Sequence, residues 1–252
     1  MLKILIAGMM MISSGAFAQG KLTPQQELEQ WRQARINVYM DDFAELRRYK
    51  KADKQIGLPA SGEKRVVFMG DSITDAWDFG KFFPGKNYIG RGIGGQTTTQ
   101  MLARFRQDVI NLHPAIVVIL AGTNDIAGNT GYMDAGDTQA NIQSMTELAK
   151  AHGIRVILCS VTPVNDYSER GKSASAMRPE EKILALNEWL KSYCKQEGCV
   201  YLDYFSAMVD ENGKMKAGLV NDGLHPNAEG YKIMAALAQN TLDAVLKQKT
   251  AK

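Results

Sequence analysis

Beyond about residue 63 the chain alternates short apolar runs with longer stretches in which apolar residues recur every three or four positions. The short runs are Arg65 to Met69, with Val66-Val67-Phe68 at its centre, then Asn87 to Ile89, Ala115 to Leu120, Ile154 to Cys159 and Val200 to Leu202. Their length and β-branched content predict strands. Between and after them, Thr97 to Val109, Thr138 to His152, Pro179 to Lys195 and Pro226 to Leu246 read as helices, the second stopped by Gly153. A strand that is apolar at every position must be covered on both faces, which is the pattern of a parallel sheet between two helical layers. The expected fold is therefore α/β: a three-layer α/β/α sandwich around a central parallel sheet of about five strands. In such sheets ligands bind at the carboxyl ends of the strands.

The segment before the first strand has a different pattern. Thr23-Pro24-Gln25-Gln26 offers a helix cap, a proline at the first helical position and a glutamine that completes a capping box. It predicts one long charged helix, whose broken stripe of Leu28, Trp31, Val38, Leu46 and Tyr49 packs on the main domain, followed by a linker from Gly57 to Gly62. Earlier still, Lys3 precedes an apolar run from Ile4 to Ile12 and the small-residue stretch Ala16-Phe17-Ala18, the form of an export signal cleaved near Ala18. No cysteine follows the run, which argues against a lipid anchor there. These features divide the chain into a signal peptide (1–18), an N-terminal helical extension and linker (19–62) and one main domain (63–252). They predict a periplasmic or secreted protein without stable membrane insertion.

Composition adds limits. The 252 residues carry 30 Lys plus Arg against 27 Asp plus Glu, and the loss of Lys3 with the signal would take the net charge from +3 to +2, too little to suggest nucleic acid as a partner. Cys159 falls in an apolar strand and reads as a small core residue. Cys194 and Cys199 flank a helix end, and a local disulfide or two free thiols both fit that spacing. No histidine pair or cysteine cluster has metal-ligand spacing, so neither a structural nor a catalytic metal is expected.

The chemistry lies in two distant motifs, Gly70-Asp71-Ser72-Ile73-Thr74 and Asp222-Gly223-Leu224-His225. A serine hydroxyl needs an imidazole to take its proton, and the imidazole needs a carboxylate to hold its tautomer. Of the three histidines, His113 precedes a proline before a strand and His152 marks a helix end, which leaves His225 as the candidate base, Ser72 as the nucleophile and Asp222 as the orienting acid. Asp71 and Asp125 are expected to bind loop backbone.

Between those motifs lie Gly92-Ile93-Gly94-Gly95-Gln96-Thr97 and Gly122-Thr123-Asn124-Asp125, each closely following a strand. With Ser72, Gly95, Asn124 and His225 in that order, the chain resembles the SGNH hydrolases, or GDSL esterases and lipases, over roughly residues 65–246. The likeness is closest to the branch of platelet-activating-factor acetylhydrolase-like proteins and carbohydrate acetylesterases. It implies a flavodoxin-like sandwich, a Ser72–His225–Asp222 triad acting through an acyl-enzyme, and an oxyanion hole made by the Ser72 and Gly95 amides and the Asn124 side chain. It also implies that no cofactor is required. The α/β-hydrolase elbow does not fit, because Thr74 stands where that motif needs glycine. A dinucleotide loop at Gly90–Gly95 lacks its acidic partner.

The expected function is hydrolysis of small acyl esters, O-acetyl groups on a carbohydrate above others. The loops at 90–99 and 125–137 are rich in Gly, Thr, Asn and Asp and offer little surface for a long chain. A lysophospholipase or thioesterase, and a glycan-binding protein without turnover, are the alternatives. Trp77, Phe79, Phe82 and Phe83 can line a pocket or fill the core, and Val164 to Arg178 can border the site or lie on the surface. Oligomeric state is not legible.

Overall fold

A computed structural model describes residues 21–247; the expected signal peptide lies outside them. The element order is α1 (Pro24–Asp42), α2 (Arg47–Ile56), β1 (Val66–Gly70), α3 (Ser72–Asp75), α4 (Phe79–Phe82), β2 (Tyr88–Gly92), α5 (Thr98–Asp108), β3 (Ile116–Leu120), α6 (Thr123–Ile126), α7 (Ala135–Ala151), β4 (Arg155–Cys159), α8 (Glu169–Ala176), α9 (Glu180–Glu197), β5 (Val200–Leu202), α10 (Phe205–Met208) and α11 (Ala228–Lys247). The five strands form one parallel sheet in the order β2-β1-β3-β4-β5. Its centre is β1 and β3, paired from Val66 with Ile116 to Gly70 with Leu120.

Alternate residues of each strand enter opposite layers, as the two-residue period of a strand requires. Val67, Met69, Val117, Ile119, Val156 and Leu158 join a core with Met101, Phe105, Ile142, Met145, Ile183 and Leu190, from α5, α7 and α9. On the other face Val66, Phe68, Ile116, Val118, Ile157 and Leu202 meet Met234, Ala238 and Leu242 of α11. Burial of a Val, Ile or Leu side chain contributes roughly 1.5–3 kcal/mol, so this double covering is the main source of stability for the sheet. Trp77, Phe79, Phe82 and Phe83 belong to this second layer. Trp77 and Phe83 are buried, and their rings pack with Phe68, Tyr88 and Tyr231. They build this layer, and none of the four lines the cavity that contains Ser72.

The N-terminal segment departs from the expected single helix. The Thr23 capping box forms as expected, but α1 ends at Asp42 and a second helix starts at Arg47. Two local features break it. The Asp42 carboxylate accepts the amides of Leu46 (2.9 Å) and Arg47 (3.0 Å), so it caps α2, and Glu45 adopts a left-handed backbone with φ 54° while its carboxylate pairs with Arg35. The carbonyls freed at the break find side-chain donors from below: Gln100 reaches Phe43 at 2.7 Å, Gln96 reaches Ala44 at 2.9 Å, and Gln107 reaches Leu46. A bend exposes backbone groups that need partners, and these glutamines supply them.

The stretch from Val164 to Arg178 holds a helix, α8, capped by the Ser168 hydroxyl on the Gly171 amide at 3.0 Å. It is tied to the Asp222–His225 loop by the Asn165 amide, which donates to the Gly223 carbonyl at 2.9 Å. Cys159 is buried in β4, while Cys194 and Cys199 are free thiols that lie side by side at the end of α9. No helix among the described residues is long and apolar enough to cross a membrane.

Candidate active site

The carboxyl ends of β1, β2 and β3 open on one edge of the sheet, and each runs straight into a motif. After β1, Asp71 caps the short helix α3 by accepting the Ile73 amide at 3.0 Å, which leaves Ser72 at the first helical position. Across the edge, the loop before α11 brings His225 to it: Ser72 Oγ lies 2.8 Å from His225 Nε2, and His225 Nδ1 lies 2.7 Å from Asp222 Oδ2. Asp222 Oδ1 accepts the amides of His225 (2.8 Å) and Leu224 (3.0 Å), so the carboxylate is held by the same tight turn that carries the imidazole. A carboxylate can only accept, so Nδ1 carries the hydrogen and Nε2 keeps a lone pair for the serine proton. Burial pushes the Asp222 carboxyl up, but the amides and the imidazole outweigh it and hold it below the usual carboxylate range.

Gly95 and Asn124 line the same cavity as Ser72 and His225. Gly95 has φ 78°, and a Cβ there would stand 2.5 Å from the Trp31 ring. The position thus needs glycine for backbone and for space. Its carbonyl accepts from Asn129 Nδ2 at 2.9 Å, which ties the loop to the turn after α6. Neither the Ser72 nor the Gly95 amide has an acceptor among the described residues. Asn124 is buried; its Nδ2 donates to the Gln96 carbonyl at 3.0 Å and its Oδ1 accepts from Arg178 Nη2 at 3.2 Å. One of its two amide hydrogens stays free for a ligand.

The cavity has a volume of about 530 Å³. One wall is α1, through Leu28, Trp31 and Arg35, and another is the end of α8 with the turn after it, through Ala174, Met177 and Arg178. The loops at 90–99 and 125–137 contribute only Gly94, Gly95, Ala127 and Asn129. Arg32 anchors α1 on this side by donating to the Gly128 carbonyl. The wall of the site is therefore more apolar than its loops alone implied. Among the described residues no three His, Cys, Asp or Glu side chains are placed to hold a metal ion.

All five residues singled out from the sequence, Ser72, Gly95, Asn124, Asp222 and His225, meet at this edge. His113 sits in a left-handed turn and His152 caps the end of α7, and neither lines the cavity. The pattern of the GDSL-like lipase/acylhydrolase family matches residues 68–233, a span that holds all five. The chain belongs to that family.

Solved structures place the fold in the same group. An acylhydrolase-family protein from Bacteroides fragilis is 45% identical, superposes with a TM-score of 0.76, and the likeness covers 82% of this chain and 99% of that one. A GDSL-like lipase from Bacteroides thetaiotaomicron is 44% identical, with a TM-score of 0.75 and coverage of 81% and 100%. Among curated relatives, the lipoprotein YqeF of Bacillus subtilis is 30% identical over 127 residues, 43% of this chain, and the match spans about half (52%) of its own length.

Sequence reasoning singled out none of Trp31, Arg178, Gln96 and Asn129, although Arg178 ends the segment 164–178 that was expected either to border the site or to lie on the surface, and whose end does border it. Trp31 sat in a helical stripe and read as packing. Arg178 precedes Pro179, a helix-start signal with no chemical content. Gln96 lay inside a quoted motif, but nothing local says that its carbonyl holds Asn124.

Two buried carboxyls stand behind the edge. Asp71 has no exposure, and burial pushes it up to about 6 against the lowering effects of the Ile73 amide, His225 and Arg178. Asp125 is likewise pushed to about 6 by burial, although it accepts the Thr98 amide at 3.1 Å and binds the Thr98 hydroxyl. Both bind backbone, but at helix starts rather than in the loops expected: Asp71 at Ile73 of α3 and Asp125 at Thr98 of α5. An acid whose pKa is raised on folding binds more protons folded than unfolded, so stability falls as pH rises from the unfolded value, 3.8, through about 6. Asp71→Asn keeps an acceptor for the Ile73 amide and removes the charge. It should be more stable than the parent at pH 8 by about 2–3 kcal/mol, and this advantage should shrink towards pH 4, as urea melts at the two pH values will report. An equal difference at both would mean that Asp71 is not ionised at a cost.

Proposed function

We propose that the chain is a serine esterase in which Ser72 attacks an ester carbonyl and His225 takes the hydroxyl proton. His225 then protonates the leaving alcohol, Asp222 orients the imidazole and stabilises it when charged, and water releases the acyl group by the same steps in reverse order. The observation that carries this reading is the continuous Ser72–His225–Asp222 hydrogen-bond chain, with contacts of 2.8 and 2.7 Å, at a cavity that also holds free N–H donors. The Ser72 and Gly95 amides and the Asn124 side chain form the oxyanion hole in this scheme. Each such donor contributes about 3–4 kcal/mol to a developing alkoxide. A binding module has no use for a serine held against an oriented imidazole. A fluorophosphonate should label Ser72 alone, and Asp222→Asn should keep the fold while kcat drops about 10⁴-fold. Peptide mapping that puts the label elsewhere, or near-normal turnover in that variant, refutes the assignment.

Small acyl groups on a carbohydrate are the substrate that best fits the mixed wall. Trp31 offers an aromatic face for the C–H side of a sugar ring, while Glu27, Arg35 and Asn129 offer partners for hydroxyls. A second reading also has support: Leu28, Met177 and Leu224 add apolar surface near Ser72, which suits a longer acyl chain and thus a lysophospholipase or thioesterase. A nitrophenyl ester series from acetate to laurate, then acetylated glycans, separates them. Each buried methylene contributes roughly 0.8 kcal/mol, so a long-chain enzyme gains rate as the chain grows. We expect the highest kcat/KM on acetate and a shift towards butyrate in Trp31→Ala; a steady rise to decanoate in the parent protein would replace the first reading by the second.

Export fits a glycan substrate, because polysaccharides are met outside the cytoplasm. Protein recovered from its natural compartment should begin near Gln19, and Edman sequencing that finds intact Met1 refutes export by this signal.

A further inference from the structure

Four arginines of the described chain are buried, and three of them face a carboxylate: Arg65 pairs with Glu63, Arg91 with Asp53, and Arg104 with Asp108. Arg178, 7% exposed, pairs with none directly, although the Asp71 and Asp222 carboxylates lie near enough to favour its charge. Its Nε donates to Thr123 Oγ1 at 3.0 Å, its Nη2 to Asn124 Oδ1 at 3.2 Å and its Nη1 to the Ala174 carbonyl at 3.4 Å, all neutral acceptors. Burying a guanidinium with no carboxylate in direct contact is costly, and more distant charges such as Asp71 and Asp222 offset only part of that cost.

What Arg178 orients is the amide of Asn124. With Oδ1 held by the guanidinium and one Nδ2 hydrogen on the Gln96 carbonyl, the group has a single satisfactory orientation. The flipped amide would set its NH₂ against the guanidinium and its oxygen against the Gln96 oxygen, two donor–donor and acceptor–acceptor clashes. The unflipped amide keeps its second hydrogen for a ligand in the cavity.

Building on the serine-esterase reading, we propose that Arg178 is the positioning residue of the oxyanion hole: it acts through Asn124, locking the donor before substrate binds and polarising it with a fixed positive charge. The planar fork matters here, because it binds Thr123 and Asn124 at once and so sets the angle as well as the contact. Preorganisation of this kind costs nothing at the moment when charge grows on the substrate oxygen. It also predicts a kinetic form. Loss of Arg178 should lower kcat with little change in KM, since the interaction it supports strengthens only in the transition state.

The test is a double-mutant cycle on nitrophenyl acetate with Arg178→Met, Arg178→Lys, Asn124→Ala and the Arg178→Met/Asn124→Ala pair, each with a thermal melt. Asn124→Ala should lower kcat about 100- to 1000-fold. Arg178→Met should lower it about 30-fold or more with KM within about threefold, and the pair should lie within about threefold of Asn124→Ala alone. Arg178→Lys, which keeps the charge without the fork, should fall between parent and Arg178→Met. If Arg178→Met melts early, the same cycle is read with lysine. Unchanged kcat in a folded variant, a full further loss on the Asn124→Ala background, or an effect carried by KM would each overturn the proposal. If Asn124→Ala keeps full kcat while Ser72→Ala is inactive, the three-donor hole itself is wrong and Arg178 has nothing to position.

Discussion

The guanidinium of Arg104 is fully buried beneath the loop that carries Gly95, and separate parts of the chain meet on it. It donates to the Gly70 carbonyl at 2.9 Å, to Gln96 Oε1 at 2.6 Å and to Asp108 at 2.9 Å. Gly70 ends β1 two residues before Ser72, and Gln96 follows Gly95. A buried cation must have its donors satisfied in fixed directions, so Arg104 ties the end of β1 to the loop after β2. Gln96 extends the constraint through its remaining groups: its side-chain amide holds Ala44 at the break between α1 and α2, and its carbonyl holds Asn124. The serine, the glycine and the asparagine are thus fixed relative to one another by one polar network under the site.

That network also explains why the N-terminal helices belong to the site. An unsupported bend at residues 43–46 would leave carbonyls without partners, and α5 provides them through Gln100 and Gln107 as well. Once the bend is fixed, α1 has to cross the open edge of the sheet. Trp31 then covers Gly95 and Arg32 reaches Gly128. The family pattern begins only at residue 68, so the part of the wall that differs most from a bare sheet edge comes from sequence that precedes it.

Stability and chemistry pull against each other at this edge. Asp71 and Asp125 are buried close to it and are raised to about 6, and Arg178 is buried with no carboxylate in direct contact. Each would be cheaper as an apolar residue. They hold short helices, α3 and α6, that start directly at strand ends and are too brief to be stable from helical hydrogen bonds alone. The sheet and its two apolar layers supply the stability that tolerates these costs.

The sequence by itself determined the sheet, its covering and which residues meet at the candidate site, because each depends on local information. Unbroken runs such as Val66–Met69 and Ile116–Leu120 can satisfy their side chains only when buried on both faces, and a serine, an Asp222–His225 turn and post-strand glycines carry their chemistry in their type and order. Strand ends were legible to within two residues at β1, β3, β4 and β5, whereas β2 runs three residues further than expected, since Gly90-Arg91-Gly92 has no strand propensity and is held by pairing with β1. The capping box at Thr23 was legible for the same local reason. Only the tertiary structure decided where the first helix stops, since Asp42 and Glu45 look helical in isolation and the glutamines that favour the break lie more than fifty residues away. Only it decided that Trp77 and its aromatic neighbours are core, and that Trp31 and Arg178 stand at the site. Those roles arise from contacts between segments distant in the chain, and such contacts leave no period, cap or motif in the sequence from which they could be read.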